Sequence, residues 1–187
     1  MKSRTAQLRL VDADTSPESD ESLDFDALFL RYSPYAARVA FRIMGSADDV
    51  DDIVQDVFIE VHKGISLLRS ARHVKSWVAT ITVRVCARRL RVARLRRFLV
   101  PMWSSRTEPE EFEIPQEGLS PEEQVWLKYV YGVLDIMAVH LRVAWTLRYL
   151  QGEHLEDVAR ICGCSLATAK RRISTAHQII RKAVDDE

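Results

Sequence analysis

The sequence predicts an all-α fold of two small helical domains joined by a flexible linker, the second domain a helix-turn-helix. Three observations predict it. Apolar residues recur at intervals of three and four through most of the chain, and no strand pattern interrupts them. Only 6 Gly and 6 Pro occur in 187 residues, so helices are long and tight turns few. One internal stretch, "VPMWSSRTEPEEFEIPQEGL" (100–119), breaks the periodicity with three prolines and a run of glutamates, which reads as a linker.

The elements follow in order. Residues 1–23 are polar, with Ser16-Pro17 and scattered acids, and predict a disordered tail. The first domain is placed at 24–99. Its first helix carries Phe25, Leu28, Phe29, Tyr32, Ala36, Val39, Ala40 and Ile43 at helical spacing. Ser33-Pro34 kinks or restarts it, and Gly45 ends it. Ser46 starts the second helix, with Asp49 three residues on as a shortened capping box. That helix turns Val50, Ile53, Val54, Val57 and Val61 inward. Asp49, Asp52, Asp56 and Glu60 fall in a narrow arc beside them. Like charges at this spacing cost an isolated helix about 0.2–0.5 kcal/mol per pair, so a basic partner is expected to meet the stripe. A loop covers about Gly64 to His73. The third helix sets Val74, Trp77, Val78, Ile81 and Val85 on one face and runs into "CARRLRVARLRR" (86–97), which contains six arginines and no acid.

Charge is segregated. The chain balances 27 basic against 27 acidic residues, yet 48–60 and 108–123 are acidic and 84–97 and 170–182 basic. Opposed blocks point to several partners. No apolar run approaches the roughly 20 residues of a membrane span. The N-terminal stretch lacks an apolar signal-peptide core. Three cysteines, Cys86, Cys162 and Cys164, suit a reducing cytoplasm.

The second domain is placed at 120–187. "SPEE" supplies Ser120 as cap, Pro121 in the first turn and Glu123 to close the box, opening a helix to about Leu134. Another helix spans about Ala138 to Leu150, before Gly152. Leu155, Val158, Ala159 and Cys162 mark a short helix, Gly163 the turn, and Ser165 the cap of a last helix with the stripe Leu166, Ala169, Ile173, Ala176 and Ile180. Helix, glycine turn, helix is the DNA-reading unit. Opposite the stripe lie Thr168, Arg171, Thr175 and Gln178, with Ser174 beside them and Lys170 and Arg172 flanking. Arg171 and Gln178 can reach base edges, and Lys170 and Arg172 phosphates.

Three motifs in this order resemble the extracytoplasmic-function (ECF) sigma factors of bacterial RNA polymerase. "ADDVDDIVQDVF" (47–58) is similar to the family's core-polymerase-binding helix, "KSWVATITVRVCARRLRVARLRR" (75–97) to its minus-ten helix, and "GEHLEDVARICGCSLATAKRRI" (152–173) to its minus-thirty-five helix-turn-helix. The resemblance covers about 24–97 and 125–183. It implies a transcription initiation factor, not an enzyme, that binds core polymerase through Asp49, Asp52, Gln55, Asp56, Phe58 and Glu60. It implies minus-ten contacts from Lys75, Trp77, Arg84, Arg88 and Arg91, with Leu68 to His73 as a pocket for a flipped base. Minus-thirty-five contacts would come from Ser165, Thr168, Lys170, Arg171, Arg172, Ser174, Thr175 and Gln178. The acidic linker resembles the segment that enters the polymerase cleft. Partners implied are core RNA polymerase, promoter DNA and an anti-sigma factor, in the cytoplasm, with no membrane insertion and no small-molecule substrate. The chain departs from the family's pattern at Arg84 (often Asn), Arg88 (often an acid), Asp56 (commonly Glu) and Thr175 (usually Arg), which bears on promoter sequence.

Other constellations carry less. Cys162 and Cys164 with His154 or His177 match no common zinc spacing, so no metal or other cofactor is expected. Cys86, Trp77, Trp126 and Trp145 sit in helical patterns and are expected in cores. Trp103, in the linker, is suited to a partner. No catalytic triad, phosphate loop or carboxylate pair occurs. The alternatives are a helix-turn-helix regulator that never joins core polymerase, and a protein-interaction module.

Overall fold

The computed structural model describes residues 24–67, 74–99 and 120–185; the tail, the 68–73 loop with its flipped-base pocket, and the 100–119 linker with Trp103 lie outside the described residues. Among the described residues there are seven α-helices and no strand. The first half holds α1 (Phe25–Met44), α2 (Val50–Gly64), a short 3₁₀ turn (Ile65–Leu67) and α3 (Val74–Leu99). The second holds α4 (Pro121–Ile136), α5 (Val139–Trp145), which continues as a π turn (Thr146–Leu150), α6 (Leu155–Ile161) and α7 (Leu166–Asp185).

Two helix starts depart from expectation. α1 neither stops nor restarts at Pro34; it runs through. Pro34 and Leu30, whose carbonyl loses its amide partner there, are both exposed, so water can take the missing donor's place. α2 begins at Val50, not Ser46, and its N-cap Asp49 makes no side-chain cap bond. Gly45 closes α1 in the left-handed region at φ 83°, its N–H donating to Phe41 O. Residues 46–49 are then used to reverse the chain, with Val50 N–H donating to Ala47 O at 3.0 Å, and Ser46 is buried in that turn. The "SPEE" box forms as expected: Glu123 N–H donates to Ser120 Oγ and Ser120 N–H to Glu123 Oε2.

α1, α2 and α3 pack on one another, burying Leu28, Val39, Ile43, Ile53, Val57, Val61, Val74 and Val78. α4, α5 and α7 enclose a second cluster around Val130, Leu134, Trp145, Ala176 and Ile180. Trp126 is not in it; it stands 51% exposed, because α4 buries its side chains only from Val130 onward. The halves are packed against each other. α3 touches α5 and α6 as well as α1 and α2, and one apolar core runs from Ile43, Val78 and Cys86 to Ala144, Leu147, Val158 and Ile161. That explains why α3 buries Ala79, Thr82, Val83 and Ala87 beyond the expected face.

Candidate polymerase and nucleic-acid interfaces

Cβ positions advance about 100° per residue along a helix. On α3 this places Trp77, Arg84, Arg88 and Arg91 within an arc of about 60°. All three arginines are exposed and Trp77 is half-buried, and the four line one groove of about 510 Å³ with Gly64 and Ile81. Gly64 leaves room for the indole there, since a Cβ on it would lie 2.8 Å from Trp77 Cζ2. Lys75 is not brought to this strip. Its helical position is opposite, and its ammonium sits 5.1 Å from the Tyr35 ring centroid on α1.

The acidic stripe of α2 is divided. Arg89 donates to Asp49 Oδ1 at 3.3 Å and to Asp56 Oδ2 at 2.9 Å, Arg88 pairs with Asp56 at 3.6 Å, and Glu60 pairs with Lys63 at 3.0 Å. The hydrogen bond to Asp56 is the main cause that raises the Arg89 pKa further. The expectation of a stripe without local compensation is therefore corrected: α3 compensates Asp49 and Asp56 itself. Asp52 forms no ion pair among the described residues. α2 also lines an apolar groove of about 640 Å³ that sequence reasoning missed, with Phe25, Phe29, Asp51, Val54, Gln55, Phe58 and Ile59 in its wall. Phe58 is buried at 3% exposure, edge-on to Phe25 and Phe29, so it floors the groove. Phe29, read as core, is 40% exposed, and Ile59 45%. The signal was present as Phe25 and Phe29, four apart, but their arc could not be told from the core arc without knowing where α2 lies.

Ser165 caps α7, accepting from Thr168 N–H at 3.2 Å, and Gly163 makes the turn at φ 60°. Ala169, Ile173, Ala176 and Ile180 are buried, while Leu166 at the helix start is 38% exposed. Lys170, Arg171, Ser174 and Gln178 are exposed. Thr168, Arg171, Arg172 and Thr175 line a groove against His140 and Leu141 of α5. His140 has a lowered pKa, first through partial burial and then through the Arg172 and Arg91 guanidinium groups. Thus the arginines of α3 and α7 act on one imidazole.

Two of the cysteines are held as thiols by burial. Burial pushes the Cys86 thiol up to about 12 and the Cys162 thiol up to about 11. Among the described residues no group of three His, Cys, Asp or Glu is placed to hold a metal ion, and no helix is long and apolar enough to cross a membrane.

The sigma-70 region 2 family pattern matches residues 28–96, the span of α1 to α3. The sigma-E factor of Escherichia coli K12, an ECF RNA polymerase sigma factor, is 30% identical over 172 residues, covering 87% of this chain and 85% of the relative. SigM of Mycobacterium tuberculosis H37Rv, also an ECF sigma factor, is 29% identical over 81% of this chain and 72% of its own. The sigma-H factor of Pseudomonas aeruginosa is 28% identical over 86% of each. Among solved structures, the sigma factor RpoE in complex with the anti-sigma factor NepR from Bartonella quintana shares the fold with a TM-score of 0.62 at 22% identity, over 87% of this chain and 97% of that one. CnrH in complex with the cytosolic domain of CnrY gives 0.56 at 21% identity, over 87% and 88%. An ordered trio of motifs, an arginine arc beside a tryptophan, a capped helix-turn-helix and a full-length relative at 30% identity converge on one conclusion: the chain belongs to the ECF RNA polymerase sigma factors.

Proposed function

We propose that this chain works as a cytoplasmic initiation factor that joins core RNA polymerase and directs it to promoters with distinct minus-ten and minus-thirty-five elements. It would catalyse nothing itself, leaving metal and chemistry to the polymerase. The observation that carries the reading is the α3 arc. Arg84, Arg88 and Arg91 project together beside Trp77, while Ala79, Thr82 and Cys86 on the opposite arc are buried. Duplex DNA offers about one phosphate charge per 1.7 Å, so a row of guanidiniums finds partners along its length.

Roles follow from position. Residues 24–99 are assigned core binding and the minus-ten element, and 120–187 the minus-thirty-five element. Asp51 and Gln55 on the Phe25–Phe29–Phe58 groove, with exposed Asp52 on the same helix, form the polymerase-docking face. Asp49, Asp56 and Glu60 support that face through their ion pairs. Arg171 reads a base, with Gln178, Ser174, Thr168 and Thr175 beside it, Lys170 and Arg172 near phosphates, and Ser165 holding the helix start. Lys75 is assigned to closure of α3 on α1 and not to DNA. An anti-sigma factor is the expected regulator, in keeping with the NepR complex of the similar RpoE.

Run-off transcription with purified core enzyme tests the reading. Promoter-specific transcripts should appear only when the chain is added. Binding of the chain to promoter DNA without any gain in specific transcripts over core alone would overturn it.

A further inference from the structure

The groove floored by Phe58 leaves Phe29 40% and Ile59 45% exposed, and Leu30, next along α1, is 76% exposed. Apolar side chains gathered in this way mark a surface that something covers. The groove also has a direction. The Phe25 ring centroid lies 4.9 Å from that of His62, and the Phe29 centroid 4.8 Å from that of Phe58. α1 therefore starts beside the last turn of α2. His62 and Lys63 stand at the end of the groove where the chain enters α1, and Asp51 stands at the far end. Lys63 is paired with Glu60, yet both remain at least half exposed. Asp48 and Asp52, both exposed, add to the acidic end.

The stretch that precedes α1 is ordered in the same way by charge. Counting back from Phe25, residues 12–24 carry Asp12, Asp14, Glu18, Asp20, Glu21 and Asp24 and no base. Residues 1–11 carry Lys2, Arg4 and Arg9 and no acid, with Leu8, Leu10 and Val11 at the junction. A segment running back along α2 from His62 towards Asp51 would set Asp12 and Asp14 at the basic end. Its three apolar residues would then lie over Phe58 and Ile59, and its cations would meet the acidic end. The opposite direction would bring like charges together at both ends.

The lengths agree. His62 and Asp51 are about 16 Å apart along the helix at about 1.5 Å per residue. The eight steps from Asp12 to Arg4 cover about 12 Å if helical and about 26 Å if extended, which brackets that span. Residues 12–24 can bridge up to about 45 Å, so the tether does not limit the approach. Short tethers hold their ends at effective concentrations of about 1 mM. A segment whose free peptide binds with a Kd of about 0.1 mM would then fill the groove about nine-tenths of the time.

We propose that residues 2–14 of this chain fold back into the Phe25–Phe29–Phe58 groove in the free protein and compete there with core polymerase. This rests on the sigma-factor reading for the competitor, but not for the occupancy of the groove.

Methyl NMR of the full chain, observing Val54 and Ile59 beside the phenylalanine rings, tests the occupancy. Deleting residues 2–14 should shift both methyl signals at unchanged helix content. Leu8→Ser with Leu10→Ser and Val11→Ser should shift them the same way, and so should Arg4→Glu with Arg9→Glu. A synthetic peptide of residues 2–14, added to the deleted chain at about 1 mM, should return the signals towards their original positions. The deleted chain should also bind core polymerase about tenfold tighter, as expected if the groove is open about a tenth of the time. Methyl signals that ignore the deletion and both sets of substitutions would overturn the proposal. So would full-chain signals that move on dilution, since the occupant would then be a second copy. Core affinity unchanged by deletion, with the methyl signals shifted, would overturn the competition. If the chain binds no core polymerase, the functional reading fails, and the methyl signals still decide what fills the groove.

Discussion

Helix α2 and the arginine-rich end of α3 run side by side with opposite charge, and in sequence every charge on either one looks equally available. Folding divides them. Asp49 and Asp56 hold Arg89 between the helices, and Arg88 leans on Asp56. Asp51 and Asp52 on α2, and Arg84 and Arg91 on α3, form no ion pair among the described residues and are exposed. A charge run is thus partly scaffold and partly surface. The division follows from which charges meet across the two helices and not from charge density.

The largest effect is expected on the α3 side. Replacing Arg84, Arg88 and Arg91 together with Gln should leave core polymerase binding intact and strongly reduce open-complex formation. The slope of log affinity against log salt should flatten by about 2–3, at about 0.9 per phosphate contact. Arg88 is already engaged with Asp56, so Arg88→Gln alone should do less than Arg84→Gln or Arg91→Gln. Promoter melting assays over a salt series check this. Loss of core binding by a folded triple variant would remove the strip from DNA.

On the α2 side the comparison sharpens to two aspartates four residues apart. Asp52→Lys should cost less than about 0.5 kcal/mol of stability, as for an exposed residue that forms no ion pair among the described residues, yet should abolish co-purification with core polymerase. Asp56→Lys should instead destabilise the chain by about 1–2 kcal/mol, a range discounted for partial exposure of the pair. It sets a third cation beside Arg88 and Arg89 and releases the α2–α3 clasp. Urea unfolding and polymerase pull-down separate the two. Equal behaviour of both variants in both assays would mean that the ion pairs do not distinguish scaffold from surface. Reversing both positions at once would mix these effects.

A third, smaller effect extends the comparison to α7, where Arg171 stands opposite the buried stripe and Lys170 flanks it. Arg171→Ala should cost about 1–3 kcal/mol at the cognate site and relax specificity at one position, while Lys170→Ala should weaken all sequences nearly alike. Competition binding over a library of single-base variants checks it. A uniform loss for Arg171→Ala would make it a phosphate contact.

Much of this was legible before folding, and the failures share a cause. Periodicity placed all seven helices and the capped helix-turn-helix, because each amphipathic face is a local property. What sequence could not supply was the neighbour of each face. Phe29 and Phe58 meet edge to face, yet one is exposed and the other buried, because α2 meets only part of the α1 surface. Asp56 looked free because Arg89 lies 33 positions away. Lys75 was given with the minus-ten residues by the resemblance, though helical geometry alone sets it opposite the arginine strip. The seam was invisible because its residues, among them Ile43, Cys86, Ala144, Leu147 and Arg142, lie in separate halves of the sequence. The masking of α2's true start is similar: Ser46 suits a cap, but the chain needed it to turn.

The smallest expected effect tests how closely the end of α2 shapes the α3 arc. Gly64 lies beneath the Trp77 ring, and a Cβ there would stand 2.8 Å from Cζ2 and 3.4 Å from Cη2. Gly64→Ala gains about 0.5–1 kcal/mol of helix preference and loses about 1–3 kcal/mol to overpacking. The net loss should be about 1 kcal/mol, relieved by tilting the indole outward. Trp77 shares its groove with Arg84, Arg88 and Arg91, so the tilt should lower open-complex formation a few-fold while core affinity, set on the other side of α2, stays unchanged. Residues in contact couple and distant ones add, which makes a double-mutant cycle decisive. Trp77→Phe shortens the ring system and removes the atoms that meet the new Cβ, so adding Gly64→Ala to Trp77→Phe should cause no further loss of stability or of open complex. If the two substitutions simply add in both measurements, the glycine does not position the tryptophan, and the arc of α3 is shaped by α3 alone.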